Sequence, residues 1–117
     1  MKSSELRIGN FVQWSGNAHS IESIQKDWVT IRKKNLQEFR LPYHKINSIL
    51  LTEEWLVRFG FTFNSKFHLY ENNKDFKLNW EFVLMDIDKY VRPNFVHQLQ
   101  NLYFALTGEE IVIKDGI

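Results

Sequence analysis

The side chains that carry most protein chemistry are sparse in this chain, and they do not converge along it. The four histidines, His19, His44, His68 and His97, stand singly. A helical zinc site needs two ligands one turn apart, and no histidine has a histidine or an acid four residues away. Each is therefore read as an ordinary surface or hydrogen-bonded residue, and no metal site is expected. Asp86 and Asp88 are two residues apart, so a strand would place both carboxylates on one face, where they could hold Mg²⁺ for phosphodiester hydrolysis. With Lys89 beside them as a counter-charge, a solvated strand end is the preferred reading of that pair. There is no Gly-x-Ser-x-Gly elbow, the five glycines are unclustered and there is no cysteine. An activated serine and a phosphate-cradling loop are thus unsupported, and thiol catalysis, disulfides and iron–sulfur clusters are excluded. The expectation is a protein that is not an enzyme and carries no cofactor.

Two other features could bind something. The one basic run is Arg32-Lys33-Lys34, with Lys26 upstream and Arg40 nearby, and Trp28, Phe39 and Tyr43 are interleaved with it. Cations beside aromatics can track a phosphate backbone and stack bases, which makes RNA or DNA the alternative ligand. Strand alternation weighs against this, because it turns Phe39 and Tyr43 inward and Arg40 outward, and a charged hairpin tip also protects a sheet edge. The second feature is a helix-forming stretch, 95–107, without a single Asp, Glu, Lys or Arg. Its apolar stripe is read as Phe95, Leu99, Leu102 and Leu106, widened by Val96 and Tyr103. The opposite side holds His97, Gln98, Gln100, Asn101, Phe104 and Ala105. A side that is polar, uncharged and part aromatic fits either a layer inside the fold or the charge-depleted centre of a partner interface. His97, Asn101 and Phe104 lie at i, i+4 and i+7 with Gln98 beside them, so these are the candidate partner-binding residues.

The elements that must position these groups fit one domain of 117 residues. At this length folding buries roughly two-thirds of the chain's surface, enough for a real core. Fifteen Lys and Arg oppose fourteen Asp and Glu, which excludes a polybasic coat or an acidic tail. The charge is uneven: residues 1–50 hold eight basic and four acidic side chains, and residues 51–117 hold seven and ten. No apolar run reaches the ~20 residues that cross a bilayer, and the first residues lack the apolar core of a signal peptide. A cytoplasmic protein that avoids membranes is expected.

Residues 5–50 read as short strands. Leu6, Ile8, Val12 and Trp14 share a parity across a bend at Gly9-Asn10, Gly16-Asn17 marks a turn, Ile24 breaks the alternation begun at His19, and Pro42 places its strand at an edge or exit. A small curled antiparallel sheet or SH3-like barrel is expected there. Thr52-Glu53-Glu54 then caps a two-turn helix with Leu51, Trp55, Leu56 and Phe59 on its inner face and Gly60 at its end. A hairpin follows: Phe67 to Tyr70, then a long strand with Phe76, Leu78, Trp80, Phe82 and Leu84 on one face. Pro93-Asn94 opens the last helix, Thr107-Gly108 ends it, and Ile111-Val112-Ile113 is expected to close as a strand. Helices and strands segregate, so the class is α+β.

Three segments together carry a resemblance: Leu6-Arg7-Ile8-Gly9-Asn10-Phe11-Val12, the stretch 51–61 (LTEEWLVRFGF) and the stretch 96–110 (VHQLQNLYFALTGEE). In this order they are similar to an uncharacterised family of small bacterial and prophage proteins. The resemblance supplies no catalytic residues. It implies a small accessory protein of phages or mobile elements, a class that often blocks or redirects a host machine. A protein or ribonucleoprotein partner is therefore expected, with inhibition of a host defence system such as CRISPR-Cas as one form of that role.

Overall fold

The first hairpin is set by its turn. Ser15 and Gly16 both take positive φ, 53° and 79°, as the two-residue turn that matches strand twist requires. In the computed structural model, which describes residues 1–32, 37–72, 74–85, 87 and 89–114, that turn joins β1 (Phe11–Trp14) to β2 (Asn17–Ile24). β3 (Trp28–Arg32) and β4 (Glu38–Pro42) complete an antiparallel sheet in the order β1-β2-β3-β4. The phase break at Ile24 is a bulge, with the β2–β3 register shifting between Ile21 and Ser23. Val29 and Ile31 face the core with Leu41 and Phe39 opposite them, and Arg40 lies opposite Thr30 on the other face, where Thr30 is itself buried. Pro42, which has no N–H to donate, ends the edge strand. After a 3₁₀ turn at Tyr43–Lys45 the chain returns to β1 through one bridge, Gln13 with Asn47. The result is a curled sheet and not a closed barrel. Ile8 does not share the core with Leu6 and Val12, because the bend at Gly9, φ 94°, turns it out to solvent.

The first helix forms as its sequence dictates. Thr52 caps α1 (Glu53–Arg58), its Oγ1 accepting from the Trp55 amide at 3.4 Å. At the other end Gly60 sits at φ 89°, its N–H reaching Val57 O and that of Phe61 reaching Leu56 O, both at 2.9 Å. This paired arrangement satisfies the last carbonyls and needs a left-handed residue. Beyond it, β5 (Thr62–Asn64), β6 (Leu69–Glu71) and β7 (Lys77–Asn79) make a second antiparallel sheet. β5 was not expected, and Phe67 and His68 belong to the β5–β6 turn, not to a strand.

The long strand expected over 76–87 ends at Asn79. The Asn79 side chain accepts from the Glu81 and Val83 amides at 2.8 and 3.0 Å, so the chain reverses and returns Leu84 against Leu78. Leu78 and Leu84 are buried, but Trp80 sits on the turn and is 63% exposed. Alternation continued through a turn thus assigned Trp80 to the wrong place. Asp86 and Asp88 lie outside the described residues.

α2 (Val96–Thr107) ends on Gly108 at φ 75°, as expected. Its buried stripe is Val96, Leu99, Gln100 and Tyr103, with His97 also buried, while Leu106 is 54% exposed. The helix is therefore rotated from the leucine-rich stripe read in the sequence. Ile111 is buried beyond it, but residues 111–113 form no ladder, so the expected closing strand is absent. The chain there is fixed instead by the Lys114 amide donating to Arg58 O at 2.7 Å.

Burial forms two clusters. One gathers Val12, Ile21, Val29, Ile31 and Ile46 inside the first sheet, and the other gathers Leu56, Phe59, Phe61, Leu78 and Leu99 between α1, α2 and the second sheet. The Cα radius of gyration is 14.8 Å, above the about 13.4 Å usual for this length, as two clusters set side by side require. Phe11 leaves β1 to pack on the second cluster, its ring 5.4 Å from Trp55 and 6.2 Å from Phe59. Among the described residues no helix is long and apolar enough to cross a membrane.

Candidate functional site

The rotation of α2 decides what its polar residues do. Gln100 is 2% exposed and faces the bend before β1. Its Oε1 accepts from the Phe11 amide at 2.9 Å and, more weakly, from Asn10 Nδ2 at 3.5 Å, while its Nε2 donates to Gly9 O at 3.0 Å. Asn10 is likewise buried. Its Oδ1 accepts from the Arg7 amide at 2.7 Å and its Nδ2 donates to Asn101 Oδ1 at 2.9 Å. Asn101 Nδ2 in turn donates to Glu5 O at 3.0 Å. Arg7 lies over the Phe104 ring, 4.0 Å from its centroid, and pairs with Glu110. The first and third segments named above are therefore two sides of one seam, in which nearly every polar atom has a partner inside the chain. A seam of this kind fixes one docking geometry, because leaving any of its groups unpaired is costly.

Beside the seam runs an open groove of about 550 Å³, bounded by Ser4 and Glu5 on one wall and by residues 91–94 and α2 on the other. Of the four expected partner-binding residues, His97, Gln98 and Asn101 line this groove, together with Leu102. Phe104 does not; it lies beyond the seam under Arg7. Gln98 is exposed, but its Oε1 accepts from the Asn94 and Phe95 amides at 2.8 and 3.2 Å, so it also caps its own helix. Asn101 spends both ends of its amide on the seam. His97 differs from its neighbours. It is 3% exposed, its ring stacks on Phe95 at 6.0 Å, and its Nδ1 is buried without a hydrogen-bond partner. Burial pushes its pKa below the usual imidazole range, partly opposed by the Glu5 carboxylate.

The basic hairpin is less available than its sequence implies. Arg32 is held between Glu22 at 3.0 Å and Glu38 at 3.2 Å, one carboxylate from each neighbouring strand. Arg40 lies on the Trp28 ring, 4.6 Å from its centroid. Phe39 packs inward on Trp14 at 5.4 Å, and Tyr43 packs on the first cluster. Lys26 is exposed in the β2–β3 turn. Lys33 and Lys34 lie outside the described residues. Among the described residues no three side chains of metal-ligating type converge.

Sequence reasoning missed Asn10 and Gln100 as the centre of the seam. The signal was present: a glutamine placed between Leu99 and Tyr103 at core spacing, facing a Gly-Asn bend that exposes backbone groups. No family model matches this chain, and neither a curated protein nor a solved structure matches it.

Proposed function

We propose that this protein is a non-enzymatic binding protein whose partner docks in the groove between the N-terminal turn and the start of α2. The observation that carries the reading is the groove itself: a concave surface of about 550 Å³ that gathers three of the four side chains selected by charge depletion and helical spacing. Its apolar Val91, Pro93 and Leu102 and its polar Gln98 and Asn94 give the mixed lining of a protein interface. The resemblance of the three segments supplies the setting: a cytoplasmic accessory protein of phage or prophage type acting on a host protein or ribonucleoprotein, a host defence complex such as CRISPR-Cas among them. The curled first sheet, with its 3₁₀ turn and its single bridge back to β1, is read in this scheme as an open form of the SH3-like arrangement.

RNA or DNA binding through Lys26, Arg32, Lys33, Lys34 and Arg40 is the alternative, and the carboxylates that flank Arg32 argue against it. The two readings separate in one experiment. Tagged protein is used to capture its partner from host lysate, with and without nuclease, in the native form, as Gln98→Lys with Ser4→Arg, and as a charge reversal of residues 32–34 to Glu. Capture that survives nuclease and the reversal but is lost in the groove variant is the expected result. Capture lost on nuclease treatment and on reversal, with the groove variant unaffected, would install the nucleic-acid reading.

A further inference from the structure

We propose that a second cavity, at the foot of α1 on the opposite side of α2, binds a small organic anion: a carboxylate on a compact apolar body. The cavity has a volume of about 330 Å³ and is bounded by Phe59 and Gly60, by Asn72 and Lys74 of the β6–β7 connection, by Tyr103, and by residues 109–112 and 114. It shares no residue with the groove of the proposed function and does not depend on that reading.

The class of ligand follows from which groups around the cavity are already satisfied. Both carboxylates at its rim have a cation: Glu109 pairs with Lys74 at 3.2 Å, and Glu110 pairs with Arg7. What remains is donors. Asn72 is held in one orientation, because its Oδ1 accepts from the Lys74 and Phe76 amides at 3.0 and 3.3 Å. Its Nδ2 therefore faces Tyr103, donating to the phenol oxygen at 3.4 Å. That bond uses a lone pair of the phenol and leaves its own hydrogen to donate. The Tyr103 ring is itself buried, edge-on to Phe76 at 5.1 Å, so the hydroxyl is rigidly placed. Lys114 adds a cation with no carboxylate partner among the described residues. Its stem lies along Gly60, where a Cβ would come within 2.6 Å of Lys114 Cγ. A phenol hydrogen, an amide hydrogen and an ammonium around one space match an oxyanion.

The remaining lining sets the rest of the ligand. Phe59 and Ile111 are buried and offer little surface, but Val112 on the same wall is 55% exposed and gives a hydrocarbon body, not a bare ion, something to pack on. At about 30 Å³ per water the cavity equals roughly ten waters, which is the low end of ligand pockets and the size of an aromatic acid with one ring.

The test is titration of ¹⁵N-labelled protein with sodium benzoate, benzamide and inorganic phosphate, followed by amide chemical shifts. Benzoate should move the Asn72, Lys74 and Ile111 amides in a saturable manner. Benzamide, which keeps the ring and loses the charge, should bind about tenfold more weakly. Tyr103→Phe, which keeps the ring packing, and Lys114→Ala should each weaken benzoate about tenfold. No saturable response at about 10 mM benzoate would overturn the proposal. So would equal binding of benzamide or phosphate, or benzoate binding that is unchanged in both variants.

Discussion

Replacing Gln100 by leucine should loosen the seam between the two clusters at nearly constant side-chain size. The native amide satisfies the Phe11 N–H at 2.9 Å and the Gly9 carbonyl at 3.0 Å from a position that is 2% exposed. Leucine can do neither. An orphaned buried donor or acceptor costs about 1–3 kcal/mol, so the two groups together set a gross loss of about 2–6 kcal/mol. Phe11 and Gly9 lie near the groove that Ile8 and Val112 flank, and partial access to water there draws the value toward the lower half. Burying the leucine methyls returns about 1 kcal/mol. The net expectation is about 1–3 kcal/mol. Urea denaturation read by far-UV circular dichroism and by tryptophan fluorescence measures it. Trp14 and Trp28 report on the first sheet, and Trp55 and Trp80 on the rest of the chain. The native protein should unfold with coincident transitions, and Gln100→Leu should lower the midpoint. A loss below about 0.5 kcal/mol would refute the reasoning, because two orphaned groups in a seam this poorly reached by water cannot cost so little.

Trp80→Ala should change stability by no more than about 1 kcal/mol, since the ring is on an exposed turn, whereas Leu78→Ala should cost about 2–5 kcal/mol; thermal unfolding of the two variants side by side checks the turn at Asn79. His97 should make stability depend on pH in a defined window. Its folded pKa lies below the usual 6.5 because of burial, so above that value both states are neutral and its contribution is fully present. As pH falls below 6.5 the unfolded chain takes up the proton first, and stability declines until the depressed folded pKa is passed. Urea midpoints between pH 5 and pH 8 should show this slope in the native protein and a shallower one in His97→Leu; identical slopes would mean that the buried ring is not the group responsible. Gly60→Ala should cost about 1–2 kcal/mol through its positive φ, with Gly108→Ala as a comparison that meets no neighbour.

What the sequence determined by itself was local. Thr52, the inner face of Leu51, Trp55, Leu56 and Phe59, and Gly60 specify α1 completely, because capping, helical period and a left-handed end are all set within ten residues. The turn at Gly16, which falls on Ser15-Gly16 one residue before the Gly16-Asn17 pair, the break of alternation at Ile24 and the edge position of Pro42 were legible for the same reason. Tertiary structure decided everything that depends on what an element faces. Alternation could not show that Asn79 would turn its own backbone and send Trp80 into solvent, because a side chain competing for nearby amides leaves no mark on the hydrophobic period. The face of α2 was undecided in the same way. Hydrophobicity chose the leucines, but the surface that α2 meets is the bend at Gly9-Asn10, with a free amide and a free carbonyl. Facing such a surface, burying Gln100 is cheaper than burying Leu106, since only the amide satisfies groups that water reaches poorly.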